Sequence, residues 1–372
     1  MGFLDNLKKR LAVFGIAALC FGYFAAYVPY SMMTKMLTKG LFSGMGGVGF
    51  SGFEIQPVVI FASSLSMFLF LTFSGWWKYA THSKVLGISI PRPQWFTLIS
   101  GICTSGQIIT TTLAYTFEGV SIVFAMLLMR GGVLVLAPIV DLVAVRRKRK
   151  IYWPSWVAAI LSFSALTVAL FGKVGTSMTV VAICDISLYL FVYFFRLFFM
   201  SNRAKSDDVE EKKRYFTEEQ MVANLFLFAA LFVVGLVGAQ MSAESIPGKI
   251  WEGFTLFPFK GHTLQAFLIG VFSYGTGLFG SLIFLDKREN TFTVPANRSA
   301  SIIAGVIATY LLAIFYGQRL PPAHELIGVV LIIGAIAFLA YRSAMDRKLK
   351  RQEAGSRRQE VGSGKQEARS KK

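Results

Sequence analysis

Ten apolar stretches, each close to the length that crosses a lipid bilayer, occupy most of this chain. They fall near 11–36, 55–77, 95–116, 119–145, 152–172, 178–201, 219–242, 263–285, 293–316 and 323–342. A spanning helix needs about 20 apolar residues, so ten of them leave no length for a soluble domain. Lys and Arg crowd into every second gap. With the N-terminus placed in the cytoplasm, the inward gaps and termini hold 29 of the 38 basic residues and the outward gaps hold five. That alternation fits the positive-inside rule. It predicts an all-α polytopic membrane protein with both termini cytoplasmic.

Composition supports this reading and narrows the function. Hydrophobic residues make up 54% and charged residues 16%, too apolar for a soluble protein of 372 residues. The net charge of +18 invites a nucleic-acid reading, but the excess sits in loops and tail and no recognition module accompanies it. No nucleic-acid partner is therefore expected. Cys20, Cys103 and Cys184 lie singly in apolar stretches, and His82, His262 and His324 lie apart. Neither a disulfide framework nor a metal site is indicated, and no cofactor is expected. No nucleophile–base pair stands out, so the chain does not read as an enzyme.

The sequence divides into a short cytoplasmic N-terminus (1–10), two halves (11–175 and 176–342) and a basic tail (343–372). The tail mixes Lys, Arg, Glu, Gln, Ser and Gly without periodicity, which predicts disorder. Five segments per half is an odd number, so a duplicated half would insert upside down. A shift of 168 residues places Arg130-Gly-Gly on Arg298-Ser-Ala and Pro154 on Pro322. A shift of 166 places Tyr23, Tyr27 and Tyr30 on Tyr189, Tyr193 and Arg196. These matches predict ten transmembrane helices arranged as two inverted five-helix repeats, with a substrate held between the halves.

Several residues stand out against that background. Arg130 lies near mid-bilayer, where a cation costs about 2.5–3.5 kcal/mol on insertion scales. Arg298 is its counterpart. Carboxylates are scarce within the segments; Asp141 and Asp185, with Glu118 and Asp286 at segment ends, are not neighbours of either Arg in sequence. Both are therefore candidate anion-binding groups. Asp185, Tyr189, Tyr193 and Arg196 form a stripe on one helix face, and Tyr23, Tyr27, Tyr30 and Thr34 form another. Gln107 and Asn297 are candidate neutral polar contacts. The substrate-binding set is thus Arg130, Arg298, Arg196, Tyr27, Tyr189, Tyr193, Gln107 and Asn297. Lys35, near an outer end, is expected to snorkel to the headgroups. The small-residue runs Thr97, Gly101, Ser105 and Ser273, Gly277, Ser281 predict close helix packing. The glycine-rich gap 40–54 reads as a loop. The aromatic gap 243–262 reads as a surface segment that partly covers one end.

The fourth segment, Ser121-Ile-Val-Phe-Ala-Met-Leu-Leu-Met-Arg-Gly-Gly132, and the stretch from Arg298 through Gly317-Gln-Arg-Leu-Pro-Pro-Ala-His-Glu-Leu-Ile-Gly328 resemble the drug/metabolite transporter superfamily. The likeness is to its EamA-like and nucleotide-sugar-transporter-like branch and extends over residues 11–342. It implies a secondary transporter for a small anionic or polar metabolite, such as a nucleotide sugar or a phosphorylated or carboxylated organic anion. Alternating access is the implied mechanism, with exchange as a natural mode. The other activity implied is export of amino acids or small amphiphilic drug-like compounds. Membrane lipids and a small-molecule substrate are the expected partners, and homodimerisation is left open. The membrane would be the plasma membrane in a bacterium and an endomembrane in a eukaryote.

Overall fold

A computed structural model describes residues 2–85, 88–117, 121–143, 153–171, 180–200, 208–285, 290–338 and 341. The tail 343–372 and the basic run 146–150 lie outside these residues. In chain order the helices are α1 (Gly2–Thr38), α2 (Gly52–Ser74) and α3 (Trp95–Ala114). Helix α4 starts as Ile122–Met126, widens to a π turn at Leu127–Gly131 and continues as Gly132–Val143. There follow α5 (Trp153–Phe171), α6 (Val180–Phe199), α7 (Val209–Gly238), α8 (Ile246–Thr255), α9 (Thr263–Leu285), α10 (Asn290–Tyr316) and α11 (Ala323–Phe338). Each of the ten apolar stretches coincides with one of these helices; α8 lies in the gap 243–262. Helices α2, α6, α7, α9 and α10 are long and apolar enough to cross a membrane, and α4, α5 and α11 contain shorter apolar helices. Phe61, Phe68, Phe163, Val233, Val237 and Ile314 are exposed on the outer faces of these helices. Apolar side chains turned outward in such numbers suit lipid, not water. The chain is a multi-pass helical membrane protein.

Three elements depart from the sequence expectation. The gap 78–94 contains an antiparallel hairpin, β1 (His82–Val85) with β2 (Ile88–Pro91), in which Ser83 pairs with Ile90. A hydrogen bond from Lys213 pulls the half-buried Tyr79 phenol beside it below its ordinary range. Helix α7 begins ten residues before its apolar stretch. Asp208 caps it by accepting from the Glu210 amide, and the charged run that follows is helix-compatible. The aromatic gap 243–262 folds into α8, started by Ser245, which accepts from the Gly248 amide at 3.1 Å. Phe254 of α8 packs edge-on against Phe228 and Phe232 of α7.

Packing fixes where a site can form. Helix α1 lies against α9 and α10, α3 against α6 and α7, and α2 against α7, α8 and α9. Close approach depends on missing side chains: a Cβ on Gly101 would collide with Val222, and one on Gly270 with the Val59 carbonyl. Ser105 adds a hydrogen bond to the Ala223 carbonyl at 2.8 Å. Pro29 interrupts α1, and the hydroxyls of Ser31 and Thr34 return to the carbonyls of Tyr27 and Tyr30 at 2.9 and 2.7 Å.

Candidate functional site

The helices leave a cleft of about 100 Å³ between them. Its walls come from α1, α3, α4, α6, α7, α9 and α10. In α6, α7, α9 and α10 the lining residues run from the middle of each helix toward a basic gap. On the other side Tyr30, Thr34, Leu37, Ile122, Phe124 and Leu312 are buried and close the bundle. The small polar residues of α9 face the free space: nothing lies within 4 Å of a Cβ built on Gly277. The stripe expected to pack thus serves as cleft wall at this position.

Arg130 stands at the closed end. The π turn of α4 carries it, and such a turn, common at functional sites, re-aims a side chain within a helix. Its Nη1 donates to the Tyr189 hydroxyl of α6. Its Nη2 donates to the Tyr27 hydroxyl of α1 at 2.8 Å. Both rings also lie 5.7 Å from the guanidinium carbon. Tyr27 shares a further hydrogen bond with Tyr115 of α3 at 2.5 Å, so a chain of phenols fixes the arginine in place. No carboxylate among the described residues pairs with it.

Arg298 is held differently. It is only 1% exposed. Its guanidinium carbon lies 4.7 Å from the centroid of the Tyr193 ring. Among the described residues, Nε and Nη2 have no hydrogen-bond partner, and neither does Nδ2 of the adjacent Asn297. Aromatic stacking orients the plane of the cation without neutralising it.

Arg196 is neutralised. Its Nε donates to Glu219 Oε1 at 3.0 Å and its Nη2 to Oε2 at 2.8 Å, while Nη1 donates to Gln107 Oε1 at 2.9 Å. Ser100 donates to Glu219 as well and shares a hydrogen bond with the Tyr215 hydroxyl. The early start of α7 puts Glu219 inside the bundle, 1% exposed. Its neighbour Glu218 is fully buried too. It accepts from the amides of Thr81 and Gln94 at 2.9 and 3.0 Å and from the Thr97 hydroxyl at 2.7 Å, tying the hairpin to the start of α3.

Lys35 does not snorkel. It is 7% exposed and donates to the carbonyls of Tyr115 and Phe117 at 3.0 and 3.2 Å. Those carbonyls end α3 and lack partners within it, so they draw the ammonium inward. Near the same end Ser121, which caps α4, donates to the buried Glu325 of α11.

Of the eight residues expected to bind substrate, Arg130, Arg298, Arg196, Tyr189, Tyr193, Gln107 and Asn297 line the cleft. Tyr27 does not; it stands behind Arg130 and positions it. Arg196 and Gln107 face the cleft with their strongest contacts already made to Glu219 and to each other. Residues that the sequence reading left out of the set, Tyr23, Thr104, Gln220, Ser273 and Thr276, also line it. Periodicity put Tyr23 and Ser273 on a helix face without saying what it faced, and gave no signal for Thr104, Gln220 or Thr276. Among the described residues no group of three or more His, Cys, Asp or Glu could hold a metal ion.

Fold and cleft together define a helical membrane protein with a polar cavity between its helices. No family model and no curated protein matches the chain. A solved structure described only as "Crystal structure of protein" is similar to it, at 11% identity and a TM-score of 0.50, over 88% of this chain and 98% of that one. At that identity the likeness is one of fold alone.

Proposed function

We propose that this protein is a secondary transporter that moves a small anionic metabolite across the membrane by alternating access. In this reading the chain crosses the bilayer ten times as two inverted repeats, with both termini in the cytoplasm, as in the drug/metabolite transporters that it resembles. The neighbour pattern supports the repeat. Helix α1 packs on α9 and α10 as α6 packs on α3 and α4, and α2 packs on α7 and α9 as α7 packs on α2 and α3. Arg130 lies over Tyr27 and Arg298 over Tyr193, the pairs that the two sequence shifts relate. The cleft reaches toward the basic gaps and is closed at the other end, the arrangement of an inward-facing carrier.

The observation that carries the reading is Arg298, a buried guanidinium at a cleft wall with no counter-ion among the described residues. Such a charge within a membrane is costly, and binding an anionic solute is the natural compensation. Guanidiniums stay protonated at physiological pH, which suits binding and release better than acid–base catalysis; hence a carrier and not an enzyme. Reconstitution into liposomes tests the proposal. Labelled organic anions, phosphorylated and carboxylated, should accumulate in vesicles containing the protein and not in empty ones. Accumulation of none of them would sink it.

A further inference from the structure

The unsatisfied polar atoms of the cleft are all of one kind. Among the described lining residues, the buried atoms without partners are Arg130 Nε, Arg298 Nε and Nη2, Asn297 Nδ2 and Gln107 Nε2. Every one is an N–H donor; no unsatisfied oxygen acceptor accompanies them. Gln107 is fixed in this orientation because its oxygen takes the Arg196 donor. A ligand that satisfies this wall supplies lone pairs only. A carboxylate or phosphate does so, whereas an ammonium group brings three donors and finds no acceptor among these unpartnered atoms.

The two free atoms of Arg298 are also the right two. Nε and Nη2 form one edge of the guanidinium plane, and two parallel N–H bonds from one edge match the two oxygens of an oxyanion. The protein already uses that pairing once: Arg196 presents the same two atoms to the two oxygens of Glu219. Arg130, by contrast, already donates from both Nη atoms, to Tyr189 and Tyr27, and only its Nε is without a partner.

Resting on the carrier reading above, we infer that the substrate is an oxyanion without an ammonium group, and that it docks two of its oxygens on the Nε/Nη2 edge of Arg298 with Asn297 Nδ2 as a further donor. Tyr193 holds the plane of the fork and Arg130 adds charge from the closed end. The arrangement discriminates against amino acids, whose ammonium group would be buried beside donors and cations.

The test uses the purified full-length protein and four probes: inorganic phosphate, succinate, alanine and glycerol. Binding is read as a rise in melting temperature with concentration. Phosphate or succinate should stabilise the wild type, with alanine and glycerol inert. Arg298→Lys keeps the charge but loses the edge, and should weaken oxyanion binding at least tenfold. Should that variant aggregate, Asn297→Ala, which removes one donor and no charge, should weaken it by a smaller factor while giving a monodisperse detergent peak. Oxyanion binding unchanged in both variants would overturn the docking edge and leave the carrier reading standing. Stabilisation by alanine and by neither oxyanion would overturn the substrate class, again with a carrier intact. No response to any probe, together with no uptake of any in liposomes, would overturn both.

Discussion

Arg196 and Glu219 meet edge to edge in the cleft wall, with nitrogen–oxygen distances of 3.0 and 2.8 Å, and Glu219 is 1% exposed. The pair joins α6 to α7, and Gln107 and Ser100 join it to α3. A buried ion pair adds little over an apolar one, yet removal of one partner strands the other charge at a cost of about 3–5 kcal/mol. Glu219 is therefore a positioning residue: it neutralises Arg196 and holds the wall together.

Glu219→Gln should lower the melting temperature markedly, because Arg196 loses its counter-charge while three helices lose their link. The double variant Arg196→Gln with Glu219→Gln removes both charges and should recover most of the loss. Thermal melts of the three proteins in detergent check this. A double variant less stable than Glu219→Gln would contradict the account.

The charge alternation predicts sidedness. In a background with Cys20, Cys103 and Cys184 replaced by alanine, Lys84→Cys in the exposed hairpin should react with a membrane-impermeant maleimide only from the cytoplasmic side. Ala243→Cys, exposed before α8, should react only from outside. Labelling of both variants from one side would refute the topology.

Much of this architecture was legible in the sequence because lipid imposes a one-dimensional code: about 20 apolar residues per crossing and basic residues on one side. Arg130 and Arg298 were legible for the same reason, since a lone charge in an apolar run has no bland explanation. What hydropathy hid was polar matter continuous with a helix end. The start of α7 reads as loop by charge, so Glu218 and Glu219 were missed, and with them the partner of Arg196. Lys35 was misread because its acceptors, the carbonyls of Tyr115 and Phe117, belong to the main chain and have no sequence signature. Tyr27 was correctly picked as part of the stripe, but periodicity alone does not separate a residue that lines a cavity from one a layer behind it.

Gly277 separates cleft from packing. The equivalent glycine of the α3 stripe, Gly101, has Val222 against it, whereas a side chain on Gly277 meets open space. Gly277→Leu should therefore leave the melting temperature unchanged or raise it, since replacing a helical glycine by leucine gains up to about 1 kcal/mol of helix propensity. Transport should fall at least tenfold as the side chain fills the cleft. Gly101→Leu should instead impair folding. Full transport by a stable Gly277→Leu protein would show that the cleft is not the substrate path.

The last prediction concerns Arg130 and the phenols around it. Its two bonds, to Tyr189 and Tyr27, need the planar fork, and lysine, a point charge on a flexible stem, cannot make both at once. Each hydrogen bond to a charged group is worth roughly 1.5–3 kcal/mol. Arg130→Lys should thus lose anion transport nearly as completely as Arg130→Gln, by about ten- to a hundredfold. Arg130→Gln removes a charge that no carboxylate among the described residues balances, so its melting temperature should stay near that of the wild type or rise. Tyr27→Phe gives the complementary result. It breaks the links to both Arg130 and Tyr115 from behind the cleft, and should cost stability as well as transport. Proteoliposome uptake and detergent melts of the three variants decide the matter. If Arg130→Gln melts far below the wild type while its surviving fraction transports an anion at full rate, the arginine is a packing element and its place in the binding site is lost.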